Sequence, residues 1–265
     1  MPFSVLMAVY HKEIPNRLEE CLKSLEVQTL KPSEVILVED GMVSSSLHAV
    51  IDEFRASLNI ISIKLLENAG LATALNEGLK HCSFELVARM DTDDISVPDR
   101  FEKQYLFMLS NPDVSVCSGL IEEWSQDFSY KISERSLPLA HEQILKLAKY
   151  RSPVSHPAVM YRKSAVLAVG GYPIIYPEDY PLWGIMLAKG YVFANIPDLL
   201  VKMRIGDAIT DRRGLHILRG EIKVYKYLLD VGFINTFEYI LNCFLRSFVR
   251  LSPRYFKVVF YKYFR

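Results

Sequence analysis

Phe84-Glu85-Leu86-Val87-Ala88-Arg89-Met90-Asp91-Thr92-Asp93-Asp94 decides the reading of this 265-residue chain. Residues 84–90 are a largely apolar run that reads as a buried strand. Three carboxylates within four residues, Asp91, Asp93 and Asp94, therefore sit where a central strand ends. Carboxylates this close repel one another. A hard divalent cation such as Mg²⁺ or Mn²⁺, sharing its coordination sphere with phosphate oxygens, is the commonest compensation. A solvated acidic turn capping the helix that starts near Pro98 is the alternative.

Working outward, residues 3–9, 35–38 and 60–66 are further apolar runs that read as strands. Between them lie segments of helical period. Leu18, Cys21, Leu22 and Leu25 recur at three- and four-residue steps, Leu47, Val50, Ile51 and Phe54 share one face of a helix over 45–56, and a third helix fits 70–82. Alternation of helices with wholly apolar strands indicates an α/β fold, with a mostly parallel sheet covered by helices on both faces. In such sheets the ligand crevice lies at the carboxyl ends of the strands. Tyr10 and His11 follow the first strand, Asp40 the second, and Asp91 and Asp93 the fourth, so three strand ends point to one site. Farther on, helices are expected over 100–109, 137–149, 164–169 (stopped by Gly170-Gly171) and 180–189, and strands over 114–120, 158–161 and 199–205. From about residue 213 the chain reads as helical.

Half of the residues are hydrophobic and 23% are charged, which suffices for a sizeable core. The net charge is zero but unevenly spread: residues 206–265 hold eleven Lys/Arg against five Asp/Glu, leaving the first 205 residues acidic by six. An acidic, metal-using body with a basic tail follows. Cys21, Cys82, Cys117 and Cys243 lack paired spacing and read as reduced thiols of a cytosolic protein. The histidines show no metal-ligand spacing. Neither a signal peptide nor an uncharged apolar run of about 18 residues is legible, so a soluble or peripheral protein is expected.

Ser4-Val5-Leu6-Met7-Ala8-Val9-Tyr10, Val38-Glu39-Asp40-Gly41, Asn68-Ala69-Gly70-Leu71, Asp91-Thr92-Asp93-Asp94 and Glu178-Asp179-Tyr180-Pro181-Leu182-Trp183 occur in that order. The set resembles inverting, family-2-type glycosyltransferases with the GT-A (Rossmann-like) fold, and most of all bacterial enzymes of exopolysaccharide, capsule or O-antigen synthesis. The stretch over 156–163 with Gly170-Gly171-Tyr172 is similar to the family's acceptor-side half. The resemblance implies a catalytic domain over 1–205, with a nucleotide-sugar half over about 1–120 and an acceptor half over about 121–205, followed by a helical basic extension over 206–265.

Residue by residue, the resemblance implies that Tyr10, Asp40 and Asn68 lie on the donor side, with Asp40 accepting a hydrogen bond from the nucleotide base. Asp93 matches the metal-binding aspartate of the DxD signature, Asp91 faces ribose or metal, and Asp94 supports the loop. The implied cofactor is Mg²⁺ or Mn²⁺, which neutralises charge on the departing nucleoside diphosphate. Asp179 matches the base that takes the acceptor's proton, although Glu178-Asp179 could equally be helix N-terminal charge. Trp183, one turn on, packs against the acceptor sugar or in the core. His156 lies near the acceptor or is a loop residue. Many relatives carry Arg-x-His near the end of this domain. Here Arg204-Ile205-Gly206 lacks the histidine, and Arg204, Arg212 or Arg213 is the candidate replacement at the diphosphate.

The last 27 residues hold six basic side chains and no acidic one, with Arg246, Arg250, Arg254 and Lys257 at helical steps among aromatics. This suits an anionic membrane surface through 239–265, on the inner face of the cytoplasmic membrane; a helical pair packed on the body is the alternative. Nucleic acid is not expected as a partner. The implied substrates are a UDP-sugar and a lipid-linked saccharide. Competing readings are a phosphotransferase, whose paired aspartates would follow the first strand, a nucleotidyltransferase, which would need a glycine-rich first loop, and a non-catalytic peripheral scaffold.

Overall fold

The computed structural model describes residues 1–205 and 215–251. Strand β1 (Ser4–Tyr10) lies between β2 (Glu34–Asp40) and β4 (Leu86–Arg89), with β3 (Ile60–Lys64) outside β2, and all four run parallel. Successive side chains of a strand alternate between faces. Val5, Met7, Val9, Val35 and Leu37 accordingly enter one hydrophobic cluster, while Leu6, Ile36 and Val38 enter the other. Helices α1 (Pro15–Glu26), α2 (Ser45–Phe54) and α4 (Arg100–Ser110) cover the first face through residues such as Leu22, Ile51 and Phe101. Helices α3 (Leu71–His81), α5 (His141–Ala148), α6 (Lys163–Ala168) and α7 (Asp179–Ala188) cover the second through Leu75, Ile144, Val166 and Met186. Both faces are dressed, as the alternating pattern predicts.

Beyond β4 the sheet changes character. Strand β8 (Met160–Arg162) runs antiparallel between β4 and β6 (Val114–Trp124), and β9 (Val192–Arg204) lies parallel to β6. The two-residue β5 (Ile95–Ser96) closes the far edge on β9, and β7 (Lys131–Arg135) forms a hairpin with β6. The sequence reading contains neither β5 nor β7, and it makes β6 and β9 too short. It also extends a helix over 137–149 that starts only at His141. Residues 156–158, partly assigned to a strand, form a 3-10 turn, because Pro157 has no N–H to give to a ladder.

Helices α8 (Leu215–Asp230) and α9 (Thr236–Leu251) pack on the body. Gly184 makes room for α8: a Cβ there would lie 2.0 Å from Leu228 Cδ2. The basic stripe read in the tail is turned the other way. Arg250 donates to Glu221 on α8 at 2.8 and 3.1 Å, and Arg246 donates to the Tyr225 hydroxyl at 3.0 Å and the Tyr150 carbonyl at 2.9 Å. Each guanidinium finds its acceptors inward, and the outward side of α9 presents Phe237, Ile240 and Phe244, all more than half exposed. Arg254 and Lys257 lie outside the described residues.

Candidate active site

A cleft of about 680 Å³ opens at the carboxyl ends of β1, β2 and β4, a size ordinary for a small-molecule site. Tyr10, Glu13, Asp40, Asn68, Asp91, Asp93 and Glu178 line it. The acids of three strand ends and the first acid of the Glu178-Asp179 pair thus share one opening.

The wall beside β2 is built by a close approach. Gly41 has φ +82, and a Cβ there would lie 2.8 Å from the Asn68 backbone nitrogen, so residues 68–70 can press against the strand end. Asp40 is buried and holds that loop. It accepts the N–H of Ala69 at 2.7 Å, the N–H of Gly70 at 3.1 Å and the Asn68 side-chain amide at 3.1 Å. A carboxylate offers about four lone-pair sites, so one acceptor position remains for a ligand N–H. Tyr10, at the end of β1, is 42% exposed and offers an open aromatic face to the same wall.

The acid loop is fastened from three sides. Asp91 pairs with Arg89, Cys21 donates its thiol to the Asp91 carbonyl at 3.2 Å, and the Thr92 hydroxyl donates to Glu13. Asp94 is buried and accepts the backbone N–H of Arg204 at 2.8 Å, which ties the acid loop to β9. Burial, followed by repulsion from Asp91 and Glu13, pushes the Asp93 carboxyl up to about 6. Burial with Asp91 and Asp93 also raises Asp94. A divalent cation would relieve this strain, and the oxygen donors Asp91 and Asp93 suit Mg²⁺ or Mn²⁺. Among the described residues no three His, Cys, Asp or Glu side chains form a ready cage. A cation here would take its remaining ligands from a bound phosphate or from water.

Opposite the acid loop, α7 begins with Glu178-Asp179. Glu178 is 8% exposed on the cleft wall, and burial together with the neighbouring Asp179 pushes its carboxyl up to about 7. Asp179, the next residue, does not line the cleft; it accepts the Ser152 hydroxyl at 3.2 Å and is raised by burial. His156 is buried behind Glu178, 3.8 Å from its carboxylate and 3.2 Å from the Tyr172 hydroxyl. Burial, then the charge of Arg89, hold His156 well below its usual range, so it stays neutral. It does not line the cleft.

Three expectations need correction or restriction. Trp183 is wholly buried, edge-on to His156 and Phe193, so it packs beneath the site and cannot meet a sugar. Arg204 does not line the cleft: its guanidinium pairs with Glu20 on α1 and lies 4.3 Å over the Phe128 ring. Arg212 and Arg213 lie outside the described residues. Sequence reading missed Glu13, Lys12 and Arg17 on the cleft wall and the buried Arg89 beneath it. A charge inside the apolar run over 84–90 was the legible signal for Arg89, and position after β1 was the signal for Glu13.

A family model described as Glycosyl transferase family 2 matches residues 4–170. The chain is 42% identical over 262 residues to UDP-Gal:alpha-D-GlcNAc-diphosphoundecaprenol beta-1,3-galactosyltransferase of Escherichia coli, covering 98% of this chain and 95% of that protein. It is 40% identical over 256 residues to the amylovoran biosynthesis glycosyltransferase AmsE of Erwinia amylovora, covering 95% and 94%. Among solved structures, S. aureus TarS 1-349 in complex with UDP-GlcNAc has a TM-score of 0.66 at 18% identity, over 94% of this chain and 73% of that one, a likeness of fold.

Proposed function

We propose that this chain, which belongs to glycosyl transferase family 2, moves a sugar from a UDP-sugar to a hydroxyl of a lipid-linked saccharide, with inversion at the anomeric carbon. Membership and the GT-A fold set aside the phosphotransferase, nucleotidyltransferase and scaffold readings. The donor and acceptor classes are taken from the Escherichia coli relative, whose name gives UDP-Gal and a GlcNAc-diphosphoundecaprenol. The relative of Erwinia amylovora points likewise to a surface polysaccharide.

One observation carries the assignment: Asp40, Asp93 and Glu178 line a single cleft, and Asp179 follows Glu178 directly in the chain. Tyr10 and the remaining lone pair of Asp40 receive the nucleobase, and Asn68 keeps that wall in place. Asp91 and Asp93 would hold Mg²⁺ or Mn²⁺, which when bound supplies positive charge to the leaving diphosphate. Asp179 takes the proton of the acceptor hydroxyl. The acceptor oxygen forms its bond to the anomeric carbon on one face as the bond to the diphosphate oxygen breaks on the other. UDP leaves with that electron pair, and the configuration inverts. The body over 1–205 divides accordingly into a donor half over about 1–120 and an acceptor half over about 121–205.

No helix among the described residues is long and apolar enough to cross a membrane. A lipid-linked acceptor nevertheless requires work at a bilayer surface. The outward Phe237, Ile240 and Phe244 of α9, with the four Lys/Arg and no acid of residues 252–265, suit an anionic interface on the inner side of the cytoplasmic membrane. Transfer of radiolabelled sugar from a panel of nucleotide-sugars to a GlcNAc-diphosphate-lipid, with Asp179→Asn as control, tests the proposal. Activity with a UDP-sugar supports it, and release of inorganic phosphate without transfer contradicts it.

A further inference from the structure

The acceptor half reaches the cleft through one short segment. Among the described residues, every lining residue beyond 120 belongs to it: Ile174, Ile175, Tyr176 and Glu178. Ile174 is 69% exposed and Tyr176 60%, whereas Ile175 packs against the second hydrophobic cluster. The segment is held from three helices. Asn76 on α3 donates its amide to the Tyr172 carbonyl at 2.8 Å and accepts the Tyr172 N–H at 2.7 Å. Gly171, with φ +79, permits this grip, because a Cβ there would collide with the Asn76 side chain. At its other end the segment runs into α7 at Glu178. From α8, Gly220 comes so close that a Cβ there would lie 2.8 Å from the Tyr176 carbonyl oxygen. Ile174 and Tyr176 are thus presented on a preorganised ledge.

The strand ends bring carboxylates to the cleft, and this ledge brings exposed apolar surface. Such surface beside polar groups suits a ligand that is itself two-faced. A sugar ring has that character: its hydroxyls hydrogen-bond at the rim while its C–H face lies on an aromatic or aliphatic side chain. Tyr176 stands two residues before Glu178 and three before Asp179, whereas Asp40 and Asp93 end or follow other elements. Trp183, which the resemblance offered for this contact, is wholly buried. We propose that Tyr176, with Ile174, is the surface on which the acceptor's sugar ring lies, and that it sets acceptor specificity. This rests on the reading of the Glu178-Asp179 end of the cleft as the acceptor side.

The test compares Tyr176→Ala and Tyr176→Phe with the unaltered enzyme, using a GlcNAc-diphosphate-lipid and whichever UDP-sugar the unaltered enzyme transfers. Acceptor KM, kcat, UDP affinity and Tm are measured. Tyr176→Ala is expected to raise acceptor KM about ten-fold while UDP affinity stays within about two-fold. Tyr176→Phe keeps the ring and should hold acceptor KM within about three-fold of the unaltered value. An unchanged acceptor KM in Tyr176→Ala, or a loss shared by UDP affinity and Tm, overturns the proposal. So does a Tyr176→Phe as impaired as Tyr176→Ala. The same GlcNAc-diphosphate on a shorter lipid separates sugar from lipid chain: an equal loss supports the proposal, and a loss that vanishes overturns it. If Tyr176→Ala does not fold, Ile174→Ser is judged by the same outcomes, and failure of both to fold overturns the proposal. Failure of the underlying reading is distinguishable, because the unaltered enzyme would then transfer no sugar to this acceptor.

Discussion

The backbone N–H of Arg204 donates to a carboxylate oxygen of Asp94 at 2.8 Å, joining β9 to the acid loop across 110 residues. The last strand of the body thus forms the back of the acid loop at the cleft. The Arg204 guanidinium points away, to Glu20 and the Phe128 ring. Arg204→Ala is therefore expected to lose about 1–3 kcal/mol of stability in urea unfolding, while UDP affinity changes by no more than about two-fold because the backbone bond to Asp94 survives. A ten-fold loss of affinity without loss of stability would return Arg204 to the diphosphate.

Burial, and then the like charges of Asp91 and Glu13, hold Asp93 at a cost to the metal-free fold. Asp93→Asn removes that repulsion, so the metal-free variant is expected to be more stable by about 1 kcal/mol. It should also lose the rise in Tm that the proposed metal site predicts for the unaltered protein with Mn²⁺ and UDP. Thermal melts with and without Mn²⁺ and UDP check both halves. Retention of the Mn²⁺-dependent rise would remove Asp93 from the metal site.

Glu178 and Asp179 are both raised, Glu178 to about 7, chiefly by burial. The proton acceptor Asp179 must be ionised, so kcat/KM should fall away in acid along a limb displaced above the ordinary carboxylate range. Glu178→Gln removes a like charge beside Asp179, which favours the ionised form, and the limb should move to lower pH by about one unit. A limb fixed in place would show that this pair does not govern the profile.

On α9, Phe237→Ser, Ile240→Ser and Phe244→Ser together remove the outward apolar face and leave the contacts of Arg246 and Arg250 intact. Sedimentation with anionic vesicles is expected to fall about ten-fold or more, since each buried apolar side chain contributes about 1.5–3 kcal/mol. Hydrolysis of UDP-sugar in solution should be unchanged. Undiminished vesicle binding would remove this face of α9 from the proposed membrane contact.

How much of this was legible depends on what a linear pattern encodes. Strands β1, β2 and β4 are apolar runs ended by polar residues, so both the parallel half of the sheet and the convergence of Asp40, Asp91 and Asp93 could be read directly. Strand β5 is two residues long, too short for any period. In α7, Tyr180-Pro181-Leu182-Trp183 and the residues after them are nearly all apolar, so no face is marked and the direction of Trp183 was open. Arg204, Arg246 and Arg250 turn to partners within the protein for one shared reason. A long cationic side chain takes whichever acceptor lies in reach, and Glu20 and Glu221 approach only through the tertiary fold.

Transfer of sugar from UDP-sugar to a lipid-linked saccharide by Asp179→Asn, compared with the unaltered enzyme at equal UDP affinity, tests the central claim most directly. The account predicts an inverted anomeric centre in the product and a rate loss of about 10²–10⁴ in the variant. Near-normal turnover by Asp179→Asn, or a product that keeps the donor's configuration, would contradict it.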